Sequence, residues 1–268
     1  MSPSKTKPAA ENKTSGTRTQ PQAKPQQQAQ PQPLFYKRVV PLNRQQHGEL
    51  YIETVEGYGF AAETNCVFIA AVEFPLAIIE YPIVFASLGE KSVFPVVLLG
   101  LKNNQNLFVD NKGAWNAGYI PAYARRYPFI LATPDPASEQ FTVCIDEAYP
   151  GFNTAKEGNP LFDSKGEHTE MLNQAVNFLK DYQGHVRLTS EFCNNLAELQ
   201  VLEPMQANIK LPDGEDLSIG GFQCIKREKL QQLSPGKLAD LVKSGQMELV
   251  YAHLLSLNNV SKLISKLK

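Results

Sequence analysis

The densest chemistry in this chain lies between Trp115 and Phe129, where WNAGYIPAYARRYPF combines the only tryptophan with Tyr119, Tyr123, Tyr127, Phe129, two prolines and the adjacent pair Arg125-Arg126. A guanidinium can hold a carboxylate or phosphate through a bidentate fork and can stack on aromatic rings, while Trp and Tyr bury large areas at small entropic cost. The segment has the composition of a recognition surface, with Trp115, Tyr119, Arg125, Arg126 and Tyr127 as binding side chains. A second reading puts the aromatics in the core and pairs the arginines with acidic residues of the body. The polar run NRQQHGE, Asn43 to Glu49, adds His47. It reads either as the lining of a pocket or as a solvated hairpin loop. If His47 met Arg125 or Arg126, one base and one carboxylate holder would share a small-molecule or enzyme pocket.

Other chemistries lack their residues. There is no GxxxxGK[ST], no strand-linked GxGxxG and no HExxH, so no cofactor is implied. His47, His168, His185 and His253 are mutually isolated, and Cys66, Cys144, Cys193 and Cys224 form no CxxC, so no metal site is written. No serine stands in a nucleophile elbow, and the cysteines lack the basic neighbours that favour a thiolate. Asp146-Glu147 is a carboxylate pair, but adjacent residues of a strand point to opposite faces. No catalytic residue is identified.

The elements that must position these residues are mixed. Short apolar runs at Val39–Leu42, Leu50–Ile52, Tyr81–Phe85, Val93–Leu99, Leu107–Val109 and Phe141–Ile145 read as strands. Val67–Val72 reads as a strand or short buried helix ending near Pro75. Thr169 caps a helix that Gly184 ends, and a second helix starts near Thr189 or Ser190 and runs to about Leu199. Asp213-Gly214 turns a small hairpin; Ser234-Pro235 opens a helix that stops at Gly245; Met247–Tyr251 is strand-like; an amphipathic helix starts near Ser256. The fold class is α+β, with a β-rich N-terminal two-thirds and helices plus a small hairpin in the C-terminal third. Sub-lobes 34–165 and 166–268 are a plausible division of the body.

Residues 1–33, rich in Gln and Pro, offer almost nothing apolar to offset backbone ordering and are expected to be disordered. They hold five basic residues and one acidic one, which leaves a mildly acidic body and argues against nucleic acid as its partner. The apolar stretch Cys66–Leu88 is broken by Glu73, Pro75, Glu80 and Pro82, so it reads as core and no transmembrane segment is expected. With no apolar leader and unpaired cysteines, a cytoplasmic location is expected, with peripheral attachment to a membrane or cell surface by signal-independent export as the alternative.

The blocks FYKRVVPLNRQQHGEL, EYPIVFA, LLGLKNNQNLFVDNKGAW, YIPAYARRYPF, CIDEAYPGF, GNPLFD and YAHLLSLNNVSKL, in this order over about residues 35 to 264, resemble the SapC family of bacterial proteins. The resemblance implies a link to the surface layer and its dedicated export machinery, and carries no reaction, cofactor or catalytic residue. The first expectation is therefore a non-enzymatic accessory protein that binds a partner protein, such as a surface or exported protein, through Trp115–Phe129. A structural component of the surface layer and a small-molecule pocket are the alternatives.

Overall fold

The computed structural model describes residues 32–89, 92–133, 140–210, 214 and 216–267. Chain order begins β1 (Val39–Pro41), α1 (Arg44–His47), β2 (Tyr51–Ile52), β3 (Cys66–Phe68), α2 (Phe74–Ala77), β4 (Ile83–Leu88) and β5 (Ser92–Leu98). It continues with α3 (Ala122–Arg125), β6 (Phe129–Ala132), β7 (Thr142–Asp146), β8 (Phe152–Asn153), β9 (Asn159–Pro160) and α4 (Glu170–Glu198). The last part holds β10 (Leu202–Lys210), β11 (Asp216–Ile225), α5 (Arg227–Gln231), α6 (Pro235–Lys243), α7 (Gln246–Ser256) and α8 (Val260–Lys266). The fold is α+β, with a helix-rich C-terminal region.

The strands form three antiparallel sheets among the described residues, ordered β10-β11-β4-β5-β3, β1-β7-β6 and β8-β2-β9. Two cores result. The larger packs Phe74, Tyr81, Phe85, Val97, Phe192 and Val250 around the five-stranded sheet; the smaller packs Phe129, Ile145, Leu161, Leu172 and Leu179 beside β6 and β7. Helix α4 serves both, Leu172, Val176 and Leu179 facing the smaller core and Phe192, Cys193 and Leu196 the larger. Neither core keeps to one side of residue 165, because α4 joins the larger core to strands that precede it. Burying each Leu, Val or Phe contributes about 1.5–3 kcal/mol, so α4 ties the two cores into one compact body from Gln32 onward.

Several local expectations are corrected. Gly184 does not end a helix: α4 is continuous over 29 residues. Thr189, expected near a second cap, lies mid-helix, donating to the His185 carbonyl and accepting from Ala71 N–H. Pro75 opens α2 rather than ending an element, its missing N–H being harmless in a first turn. Leu107–Val109 is no strand and contributes only a bridge from Val109 to Trp115. Met247–Tyr251 is helical; α7 buries Val250, Ala252, His253, Leu254 and Ser256, and a helix wrapped on most sides loses the polar stripe that gives it away. The NRQQHGE run does not turn a hairpin, since β1 pairs with β7 and β2 with β8 and β9. The hairpin around Gly214 is larger than expected, with strands of 9 and 10 residues, the second joined to β4. Asp213 and the expected disorder of residues 1–31 lie outside the described residues.

Candidate functional site

The segment before α3 is held by one carboxylate. Glu73, 5 % exposed, accepts from Ala70 N–H (2.8 Å), from Ala122 N–H (2.7 Å) and from the Tyr119 hydroxyl. Tyr81 donates to the Tyr119 carbonyl and accepts from Trp115 Nε1 (2.8 Å), so the tryptophan, two tyrosines and Glu73 form one brace. Burial raises the Tyr119 hydroxyl above its usual pKa, and the hydrogen bond to Glu73 adds to this, so it stays a neutral donor.

That brace fixes α3 with Arg125 and Arg126 at its end. The Arg126 guanidinium carbon lies 3.9 Å from the Tyr123 ring centre, 5.1 Å from Tyr182 and 5.8 Å from Tyr36. Burial pushes the Tyr36 and Tyr182 hydroxyls up against the opposing pull of Arg126, so these rings offer π faces and no countercharge. Arg126 Nε is buried with no hydrogen-bond partner, and its terminal nitrogens make no bond to a described residue either. Arg125, exposed, donates through Nε to the Ile120 carbonyl (2.9 Å), reaches Tyr119 Oη at 3.3 Å, and stacks 5.2 Å from the Phe178 ring centre. Among the described residues neither arginine has an ion pair. Asp146 is also occupied, accepting from Lys37, Arg38 and Ala148 N–H and from the Tyr127 hydroxyl. Burial opposes its ionisation, but those bonds outweigh it and hold its carboxyl below the usual range.

The arginines open on a cleft in two parts. A chamber of about 390 Å³ is lined by Arg125, Arg126 and Tyr127, with apolar walls from Phe129, Met171, Phe178 and Leu179. A wider cavity of about 910 Å³ shares Thr54, Arg125, Tyr127 and Tyr149 with it and extends along Gly57, Tyr58 and Gly113. Gly57 and Gly113 have φ of +89° and +83°, and a Cβ on Gly57 would lie 2.7 Å from the Gly113 carbonyl, so this wall needs glycine.

Of the side chains singled out in the sequence, Arg125, Arg126 and Tyr127 come together on the cleft, whereas Trp115 and Tyr119 line neither cavity and act as braces. His47 is not brought to the arginines. It is buried beside a separate depression, bonded to Asn43 and 3.2 Å from Glu147, which also pairs with Arg38 at 3.0 Å. Tyr36, Tyr149, Phe178 and Tyr182 were absent from the sequence-based site. Phe178 and Tyr182 stand one helical turn apart on α4, a spacing that shows a shared face but not what it meets.

Among the described residues no group of three or more His, Cys, Asp or Glu could hold a metal ion, and no helix is long and apolar enough to cross a membrane. No curated protein and no solved structure matches the chain. The model of one family, SapC, matches residues 42–263, which spans every strand after β1 and both arginines of the cleft, and the chain belongs to the SapC family.

Proposed function

We propose that this protein is a non-enzymatic accessory protein that holds a partner protein at the Arg125/Arg126 cleft during export or assembly of a surface-layer protein. The observation that carries the reading is a pair of arginines that have no ion pair among the described residues and that line a concave, aromatic-walled surface. Arginine and tyrosine in a desolvated pocket are the side chains that dominate protein recognition. The nucleophiles available elsewhere are quiet: burial raises the Cys193 thiol to about 12 and the Cys224 thiol to about 11, so both are protonated near neutrality. The surface-layer context rests on the SapC family resemblance.

The test is affinity capture of the tagged full-length protein from its native cells beside an Arg125→Ala/Arg126→Met variant. Methionine keeps the apolar stem within the tyrosine cage and removes the charge. The expected result is an envelope or exported protein recovered with the wild type and depleted at least tenfold with the variant, whose circular dichroism is unchanged. Equal recovery from both would reject the cleft as the contact.

A further inference from the structure

We infer that the smaller chamber is a receptor for a carboxylate carried on an apolar body, the feature presented by the last residue of a polypeptide ending in an aromatic or branched aliphatic side chain. The inference rests on the partner-capture reading and specifies what is captured. Three observations carry it. Among the described residues the chamber is lined by Arg125 and Arg126 and by no Asp or Glu, and the Arg125 guanidinium lies against the ring of Phe178, which is part of its wall. The buried carboxylates among the described residues, Glu73 and Asp146, are saturated by neutral donors. An acceptor from outside is therefore what can pair with the arginines of this wall. The remaining wall, with Ile52, Phe129, Met171, Phe178 and Leu179, is apolar.

Size and shape refine the class. A volume of about 390 Å³ admits one side chain with its terminal carboxylate and lies at the lower end of small-ligand sites. A planar carboxylate matches the guanidinium fork, whereas a phosphate ester would favour more donors and a less greasy wall. The chamber continues past Arg125, Tyr127 and Tyr149 into the wider cavity, which gives the preceding residues of a bound chain a path outward. A free apolar carboxylic acid presents the same chemistry without that chain.

Calorimetry on the full-length protein separates the possibilities with three probes: acetyl-Gly-Gly-Phe with a free carboxylate, the same peptide as its amide, and 3-phenylpropionate. The peptide acid is expected to bind at least tenfold more tightly than its amide, and Arg125→Ala and Arg126→Met should each erase most of that ratio. Ala175→Glu places an internal carboxylate on the chamber wall and, where its circular dichroism matches the wild type, should also abolish the preference. The free acid binding tenfold more weakly than the peptide assigns a chain end; equal affinity assigns a small carboxylic acid and equally supports the chamber. Acid and amide binding alike, or neither binding, overturns the inference, even if the arginine variant still loses its captured partner. Acid preference that survives while partner capture is indifferent to the arginines leaves the chamber standing and overturns the partner reading instead.

Discussion

A buried carboxylate would ordinarily pair with a cation, yet among the described residues Glu73 accepts from two backbone N–H groups and the Tyr119 hydroxyl, which stands between it and Arg125. Its partners lie on both sides of the brace, so it joins the turn before α2 to the start of α3. Glu73→Gln would keep the size but set an amide N–H₂ against donors that already point inward. The expected loss is about 2–3 kcal/mol of stability, read from urea unfolding, because buried donors would lose their acceptor. A loss below about 0.5 kcal/mol would show that the brace is dispensable. This residue also marks the limit of sequence reading. Arg125, Arg126 and Tyr127 were legible because they sit in one dense segment, but that Tyr119 and Trp115 brace rather than line the cleft depends on Glu73 and Tyr81, which come from a distant stretch. Periodicity shows which face is apolar, not which buried acid will take a hydroxyl. His47 was similarly unreadable: its partner Glu147 is a hundred residues away.

At the scale of elements, α4 decides how the site is built, because Tyr182 stands on it between the residues that face the two cores. Its N-terminus was legible from Thr169, whose hydroxyl accepts from Leu172 N–H as an N-cap should. Its length was not, since Gly184 is a reasonable stop in isolation and only packing on both cores carries the helix past it. Gly184 is exposed, helical and has open space where a Cβ would be. Gly184→Ala should therefore raise stability by about 0.5–1 kcal/mol through reduced freedom of the unfolded chain and better helix propensity. The urea midpoint should move up with an unchanged slope. A lower midpoint would mean that this turn of α4 must bend, and a bent helix would no longer place Tyr182 over Arg126. Strand pairing was the least legible level: β1 and β2 were found as strands, but their partners β7, β8 and β9 come from later segments that local patterns do not connect.

For the whole molecule, the link between the hairpin and the rest of the sheet is thin, and a histidine completes it. Strands β11 and β4 pair only at Phe222 with Ala86 and Gln223 with Phe85. Beyond that point His253 of α7 takes over, its Nε2 accepting from Ile225 N–H (3.0 Å) and its Nδ1 donating to the Ile83 carbonyl (2.9 Å). Ser256, one turn further on, accepts from Ile83 N–H and donates to the His253 carbonyl. Both ring nitrogens are committed, which requires the neutral imidazole. Burial drives its pKa down to about 4, against a smaller upward pull from the Ile83 carbonyl. In the unfolded chain it titrates at about 6.5. Protons are therefore taken up by the unfolded state first, and stability that is complete above about pH 6.5 is lost as pH falls toward 4, by on the order of 3 kcal/mol. Asp146, with its pKa depressed, acts in a lower window: its contribution is present above about pH 3.9 and disappears as pH falls through its folded value. Urea midpoints measured between pH 7.5 and 4.5 isolate the histidine. His253→Gln can still accept from Ile225 and donate to Ile83 but cannot ionise, so its midpoint should be lower at pH 7.5 yet much flatter across that range. A variant with the wild-type slope would assign the acid sensitivity to another group and leave His253 as a hydrogen-bond bridge alone.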